Sequence, residues 1–90
     1  MQAHIFYSGT VQGIGFRYTT QRFALELNLK GWVRNLDDGR VEIFADGSED
    51  VIQKLLQSLD KHFEGYIRDK KVDIQSEEAS SQHKDFRIVL

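Results

Sequence analysis

Between positions 9 and 17 the chain reads Gly9-Thr-Val-Gln-Gly-Ile-Gly-Phe-Arg17. Gly9, Gly13 and Gly15 can take backbone angles that other residues avoid, and they let an anion come close to the main chain. Arg17 adds a planar, permanently charged guanidinium suited to two phosphate oxygens. A helix starting here would aim its unpaired N–H groups and the positive end of its dipole at the same place. Together these parts describe a small anion cradle, most naturally for a phosphate. The same residues also fit a plainer role, a glycine-bearing turn beside a solvated arginine, and residue chemistry alone leaves both standing. Two familiar phosphate motifs do not apply. A Walker loop needs a Gly-Lys-Ser/Thr ending, and this loop has no lysine. A dinucleotide fingerprint begun at Gly13 would need glycine where Tyr18 stands.

The elements that must hold this loop follow from the hydrophobic pattern. Residues 3–8, with Ile5, Phe6 and Tyr7, read as a strand that stops at Gly9. From about residue 18 to residue 30, Thr20, Phe23, Ala24 and Leu27 recur at helical spacing, with Gly31 where a C-capping glycine is expected. Residues 32–36 form a second strand and 40–46 a third, joined through Asp37-Asp38-Gly39, a strong hairpin signal. In the third strand Val41, Ile43 and Ala45 share one face, and Arg40, Glu42 and Asp46 share the other. Ser48 is the expected N-cap of a second helix with Glu49 and Asp50 in its first turn. Its buried stripe is Val51, Ile52, Leu55, Leu56, Leu59 and Phe63, ending near Gly65. A fourth strand is expected near residues 70–77, a polar turn over 78–84, and a last strand in which Phe86, Ile88 and Leu90 alternate. The order is β-α-β-β-α-β with an extra C-terminal strand. It predicts an α+β, ferredoxin-like α/β sandwich, with two helices on one face of a mostly antiparallel sheet. Residues 1–90 are expected to form one domain. Such a fold hosts enzymes, RNA binders and sensors, so it does not choose among functions.

Composition narrows the choice. Twelve basic against 14 acidic side chains give a net charge of −2, without the basic excess of a nucleic-acid binder. The third strand carries Phe44 as its one aromatic, and no Gly-aromatic-Gly signature of an RNA-recognition sheet appears. The absence of cysteine removes disulfides, thiolate nucleophiles and zinc-cysteine sites. No apolar run is long enough to span a membrane, and the first eight residues lack the cationic flank and apolar core of a signal segment. A cytoplasmic monomer is therefore expected. His4, His62 and His83 are scattered, with no metal-ligand spacing among them, so no metal and no cofactor is expected.

Three segments taken together are more specific. Gly9-Thr-Val-Gln-Gly-Ile-Gly-Phe-Arg17, then Lys30-Gly-Trp-Val-Arg-Asn35, then Asp38-Gly39-Arg-Val-Glu42 resemble the acylphosphatase family over nearly the whole chain. The resemblance implies that the loop and Arg17 hold a phosphoryl group while Asn35 positions the attacking water. Position alone would make Asn35 a strand-end residue bonding locally before a hairpin; its fit to the motif together with Arg17 reverses that preference. Ile14 stands where the family usually has valine. Gly65-Tyr66 replaces the family's frequent Gly-Pro, which leaves the route from the second helix to the fourth strand open.

The implied substrate is a small-molecule acyl phosphate, a mixed anhydride whose leaving group is a carboxylate. The conjugate acid of that group has a pKa of about 4, so it departs at neutral pH without a general acid. Phosphoryl transfer through a loose transition state asks mainly for positioning and charge stabilisation. Arg17 and the backbone N–H groups of Gln12, Gly13, Ile14, Gly15 and Phe16 would hold the non-bridging oxygens. Asn35 would hold a water in line with the breaking P–O bond. Inorganic phosphate is then the product and a competitive inhibitor, and neither nucleic acid nor membrane is a partner. Gln12 and Thr20 could each touch the anion or one another, and Arg34 and Arg40 are expected to be solvated strand-face charges.

Overall fold

The computed structural model describes residues 1–76 and 83–90. β1 (Gln2–Gly9) buries Ala3, Ile5 and Tyr7 and turns His4 and Phe6 to the other side, the alternation its sequence predicts. It lies between β3 (Val41–Asp46) and β4 (Ile67–Gln75), both antiparallel to it. β2 (Lys30–Asn35) pairs antiparallel with β3, and β5 (Phe86–Ile88) runs parallel along the outer edge of β2. The order is β4-β1-β3-β2-β5. α1 (Phe16–Glu26) carries the chain from β1 over β3 to β2, and α2 (Glu49–His62) carries it from β3 over β1 to β4. This is the expected split β-α-β arrangement.

One apolar cluster joins the layers. Ile5, Tyr7, Val33 and Ile43 of the sheet pack with Phe16 and Ala24 of α1 and with Ile52, Leu55 and Leu59 of α2. Phe16, the first residue of α1, stacks on Phe63 at 4.5 Å and tilts against Tyr7 at 5.1 Å. The Tyr7 hydroxyl is buried and donates to Asp60 Oδ1 at 3.0 Å, while Lys70 Nζ pairs with Asp60 Oδ2 at 2.5 Å. Burial, reinforced by the charge of Asp60, pushes the phenol far above its ordinary pKa, so it stays a neutral donor.

Three local expectations need correction. α1 begins at Phe16 and ends at Glu26, and its stop signal is Asn28 with φ 57, not Gly31. Asparagine reaches the left-handed region because its short polar side chain can bond locally. Gly31 instead lies inside β2, where a Cβ would fall 1.9 Å from the Phe44 carbonyl oxygen. Its lack of a side chain is what lets β2 approach β3. The arginines on the other face are the third. Glu42 lies on the face opposite Val41, Ile43 and Ala45, as expected, and is only 5% exposed there. Arg34, directly opposite it on β2, donates from Nε to Oε1 at 2.6 Å, and His4 Nε2 meets Oε2. Arg34 is therefore a paired cation, and Arg40 pairs with Asp38 at 2.8 Å.

β4 starts three residues earlier than expected and β5 is shorter than the alternation suggested. Between α2 and β4, Gly65 turns the chain with φ 90, and Tyr66 N bonds back to Phe63 O at 3.0 Å. No proline is needed for that turn. The end of the predicted fourth strand at Glu77, and most of the predicted polar turn that follows, lie outside the described residues.

Candidate active site

The β1–α1 loop is pinned at both ends. Thr10 N donates to Tyr66 O at 2.9 Å, Val11 is fully buried, and Phe16 is locked into the aromatic stack. Between those anchors Gly13 and Gly15 take φ 81 and φ 80, in the region where a Cβ is strained. Apart from the adjoining residues, no atom lies within 4 Å of where either Cβ would be, so backbone conformation rather than crowding requires glycine at both positions. Left-handed residues alternating with ordinary ones turn successive N–H groups toward a common concavity, an anion-binding nest.

The two helix starts differ in a way that bears on function. α2 is capped by Ser48, whose hydroxyl accepts from Val51 N at 3.4 Å, and its first turn carries Glu49 and Asp50. α1 has Gly15 at its N-cap, no side-chain cap and no acid in its first turn. Its orphan N–H groups and positive dipole end are thus left without a protein anion.

Arg17 stands in that first turn, half-buried. Among the described residues its guanidinium has no hydrogen bond and no ion pair, whereas half-buried Arg34, Arg40 and Lys70 each hold a carboxylate. Asn35 closes β2, with its Cα opposite Val41. Its Oδ1 is buried and accepts no hydrogen bond, so the side-chain carbonyl is not engaged in the local strand-end role its position suggests. Arg17, Asn35, Gly13, Gly15 and Phe16 line one cleft of about 190 Å³, with Val11 at its floor.

Gln12 and Ile14 do not line the cleft. The Gln12 amide donates to Leu36 O at 2.8 Å and to Arg40 O at 3.0 Å, clasping the loop to the β2–β3 turn just beyond Asn35. Ile14 packs against the core. Thr20 bonds within its own helix, from Oγ1 to Phe16 O at 2.8 Å, so it does not meet Gln12. Three lining residues had no place in the sequence-derived site: Val11 within the loop, Tyr18 and Ile88. Tyr18 follows Arg17 directly, a signal that was available. Ile88 arrives through the parallel β2–β5 pairing, with Val33 opposite it, and nothing near the loop in sequence points to it. Among the described residues no three His, Asp or Glu side chains are grouped to hold a metal ion.

The family model for Acylphosphatase matches residues 3–88. An acylphosphatase of Roseiflexus sp. is 38% identical over 88 residues, covering 98% of this chain and 94% of its own. The chain belongs to the acylphosphatase family. A further acylphosphatase, from Chloroflexus aurantiacus, is 40% identical over 89 residues, 99% of this chain and 96% of its own. The crystal structure of acylphosphatase from Bacillus subtilis has a TM-score of 0.84 at 39% identity, over 99% of this chain and 98% of that one. As a family member the chain is a hydrolase acting on acyl phosphates, a class of acid anhydride. The acylphosphatase likeness covers the whole sheet and both helices, from within β1 to the last residue of β5. No helix is long and apolar enough among the described residues to cross a membrane.

Proposed function

We propose that this chain hydrolyses acyl phosphates by direct in-line attack of water, with Arg17 and the loop N–H groups holding the phosphoryl group and Asn35 holding the water. The observation that carries this reading is Arg17, a half-buried cation lining the cleft with no protein counter-charge among the described residues. A guanidinium with no carboxylate partner, beside an uncapped helix start, is disposed to take an anion.

In the reaction, the guanidinium takes two non-bridging oxygens, and the N–H groups of Gly13, Gly15 and Phe16, the loop residues that line the cleft beside it, take the remaining negative charge. Asn35, which lines the cleft beside Arg17, would orient the water opposite the leaving carboxylate through its side-chain amide. The new P–O bond forms from that water as the bond to the carboxylate breaks. The electron pair leaves with the carboxylate, and the water's protons end on the phosphate product. Because the cradle supplies fixed positive potential, the scheme needs neither a metal nor a covalent intermediate. A cleft of about 190 Å³ is smaller than the roughly 300–1,000 Å³ that engulf a drug-sized ligand. That suits a site which grips the phosphoryl end and leaves the acyl group at the mouth.

The test is hydrolysis of benzoyl phosphate with chelator present, run on wild type, Arg17→Ala and Asn35→Ala, each checked for folding by circular dichroism. Turnover by wild type alone, competitively inhibited by inorganic phosphate, is the expected result. A well-folded wild type without turnover, or an Arg17→Ala variant as active as wild type, would overturn the mechanism.

A further inference from the structure

The two edges of the sheet are built differently. β5 contributes three residues along β2, whereas β4 runs for nine residues along β1 and has no strand on its other side among the described residues. The pairing of β4 with β1 is regular from Gln75 back to Asp69, and its one irregularity falls beside Ser8 and Gly9. Sheets usually end in short, bulged or covered strands, because an open edge offers its unpaired N–H and C=O groups to any other strand. A long regular edge is a template for one more strand.

The side chains of β4 select which strand fits. Asp69, Lys71, Asp73 and Gln75 are exposed on the face away from the helices. Lys70, on the helix face, is held by Asp60, but Lys71 and Asp73 form no ion pair among the described residues. Val72 and Ile74 pack against the core from this edge and stay partly exposed. Two copies of one strand, paired antiparallel about a two-fold axis, set residues equally spaced from the axis opposite each other. With the axis at Val72, Lys71 of each copy meets Asp73 of the other, Asp69 meets Gln75, Lys70 meets Ile74, and Val72 meets itself. An axis at Lys70, Lys71 or Asp73 would set that charge against its own copy. Opposite charges directly across a strand pair are favourable and like charges are not, so the charge order singles out Val72. Residues equally spaced from the axis also lie on the same face, which keeps the helix layers of both copies on one side.

We propose that residues 69–75 of β4 pair antiparallel with the same residues of a second copy of this chain, joining two five-stranded sheets into one continuous sheet about a two-fold axis at Val72. The chain is then a dimer rather than the expected monomer. The contact uses the same patch on both copies and closes on itself, so assembly stops at two. One strand pair with its flanking side chains is a small interface, which makes the dimer a weak one. The edge lies on the far side of the sheet from β2 and β5, which bring Asn35 and Ile88 to the cleft, so dimerisation leaves the cleft open and does not depend on the catalytic reading.

The experiment is sedimentation velocity at low salt, from about 5 µM to about 500 µM protein, on wild type, Lys71→Asp, Asp73→Lys and the double variant that exchanges the two charges. Circular dichroism checks the fold of each. Wild type should move from monomer toward dimer as concentration rises, and no further. Each single reversal sets like charges opposite one another at two places and should weaken association at least about tenfold. The double variant restores both pairs with their signs exchanged and should return association to within about threefold of wild type. Amide hydrogen exchange at residues 69–75 should slow at the higher concentrations. A wild type that stays monomeric throughout would overturn the proposal and leave the edge to an extended segment of another protein. A dimer that the single reversals leave unchanged, or that the double variant fails to recover, would equally overturn it.

Discussion

Asn35→Ala separates a catalytic asparagine from a structural one because the two roles move stability and turnover in opposite ways. In most strand-end asparagines, deletion removes a hydrogen bond and strands its partner, which together destabilise by about 2 kcal/mol. Here Oδ1 is buried without a donor, so no partner is stranded. An unpaired buried polar atom opposes folding by about 1–3 kcal/mol. Against that, alanine loses the packing of a half-buried side chain, on the order of 1 kcal/mol. The net expectation runs from no change to a gain of about 2 kcal/mol. At about 4–8 °C per kcal/mol for a domain of this size, Tm should stay within a few degrees of wild type or rise. Turnover of benzoyl phosphate should nevertheless fall at least about a hundredfold, the scale of losing a positioned reactant. Phosphate binding supplies the control. At phosphate a hundredfold above its dissociation constant, binding stabilises by about 2.7 kcal/mol. By the same conversion that is a rise of about 11–22 °C. The rise should persist in Asn35→Ala and vanish in Arg17→Ala. A drop of about 2 kcal/mol in Asn35→Ala, with turnover intact, would refute the reasoning and return Asn35 to a local structural role.

Three further outcomes follow from particular contacts. Gly31→Ala places a Cβ 1.9 Å from the Phe44 carbonyl oxygen at φ 139, so β2 and β3 must separate. Urea denaturation should show a loss above about 4 kcal/mol, or no cooperative fold at all. For Glu42, burial alone would raise the carboxyl pKa, but hydrogen bonds and charge from Arg34 and His4 outweigh it and hold it below the ordinary 4.5. A depressed folded-state pKa stabilises fully above about 4.5, and that contribution fades as pH falls through the folded value. Glu42→Gln should therefore lower stability by about 1–3 kcal/mol at pH 7, with the difference from wild type shrinking in acid, as urea titrations at pH 7 and pH 3 would record. Gln12→Ala removes both bonds between the loop and the β2–β3 turn. Steady-state kinetics should show kcat falling more than phosphate affinity, because the cradle survives while its distance to Asn35 is no longer held; an equal loss in both would argue against the clasp.

The loop chemistry was legible in sequence because it is local. Glycines that reach positive φ, an arginine in the next helical turn and the strand before them lie within a few residues of one another, so their identities state their geometry. The order of strands and helices was legible for a related reason, since each buried face writes its own period into the chain. Asn35 could be tied to Arg17 only through the family motif, and the state of its amide was invisible until the fold left its oxygen unpaired. Gln12 is a similar case: an amide in an anion loop suggests ligand contact, yet the carbonyls it reaches belong to a turn on another strand pair. The place of Gly31 and the burial of Glu42 escaped the sequence because what surrounds them is set across strands. A glycine after a helix and an acid opposite a buried stripe have ordinary local explanations, and only the β2–β3 register shows a carbonyl pressed against one and an arginine beside the other. Ile88 belongs to the cleft because β5 adds in parallel to β2 and ends beside Asn35. Sheet neighbours are decided by topology and register, which arise when separate buried faces are satisfied together, and no short window of sequence contains that information.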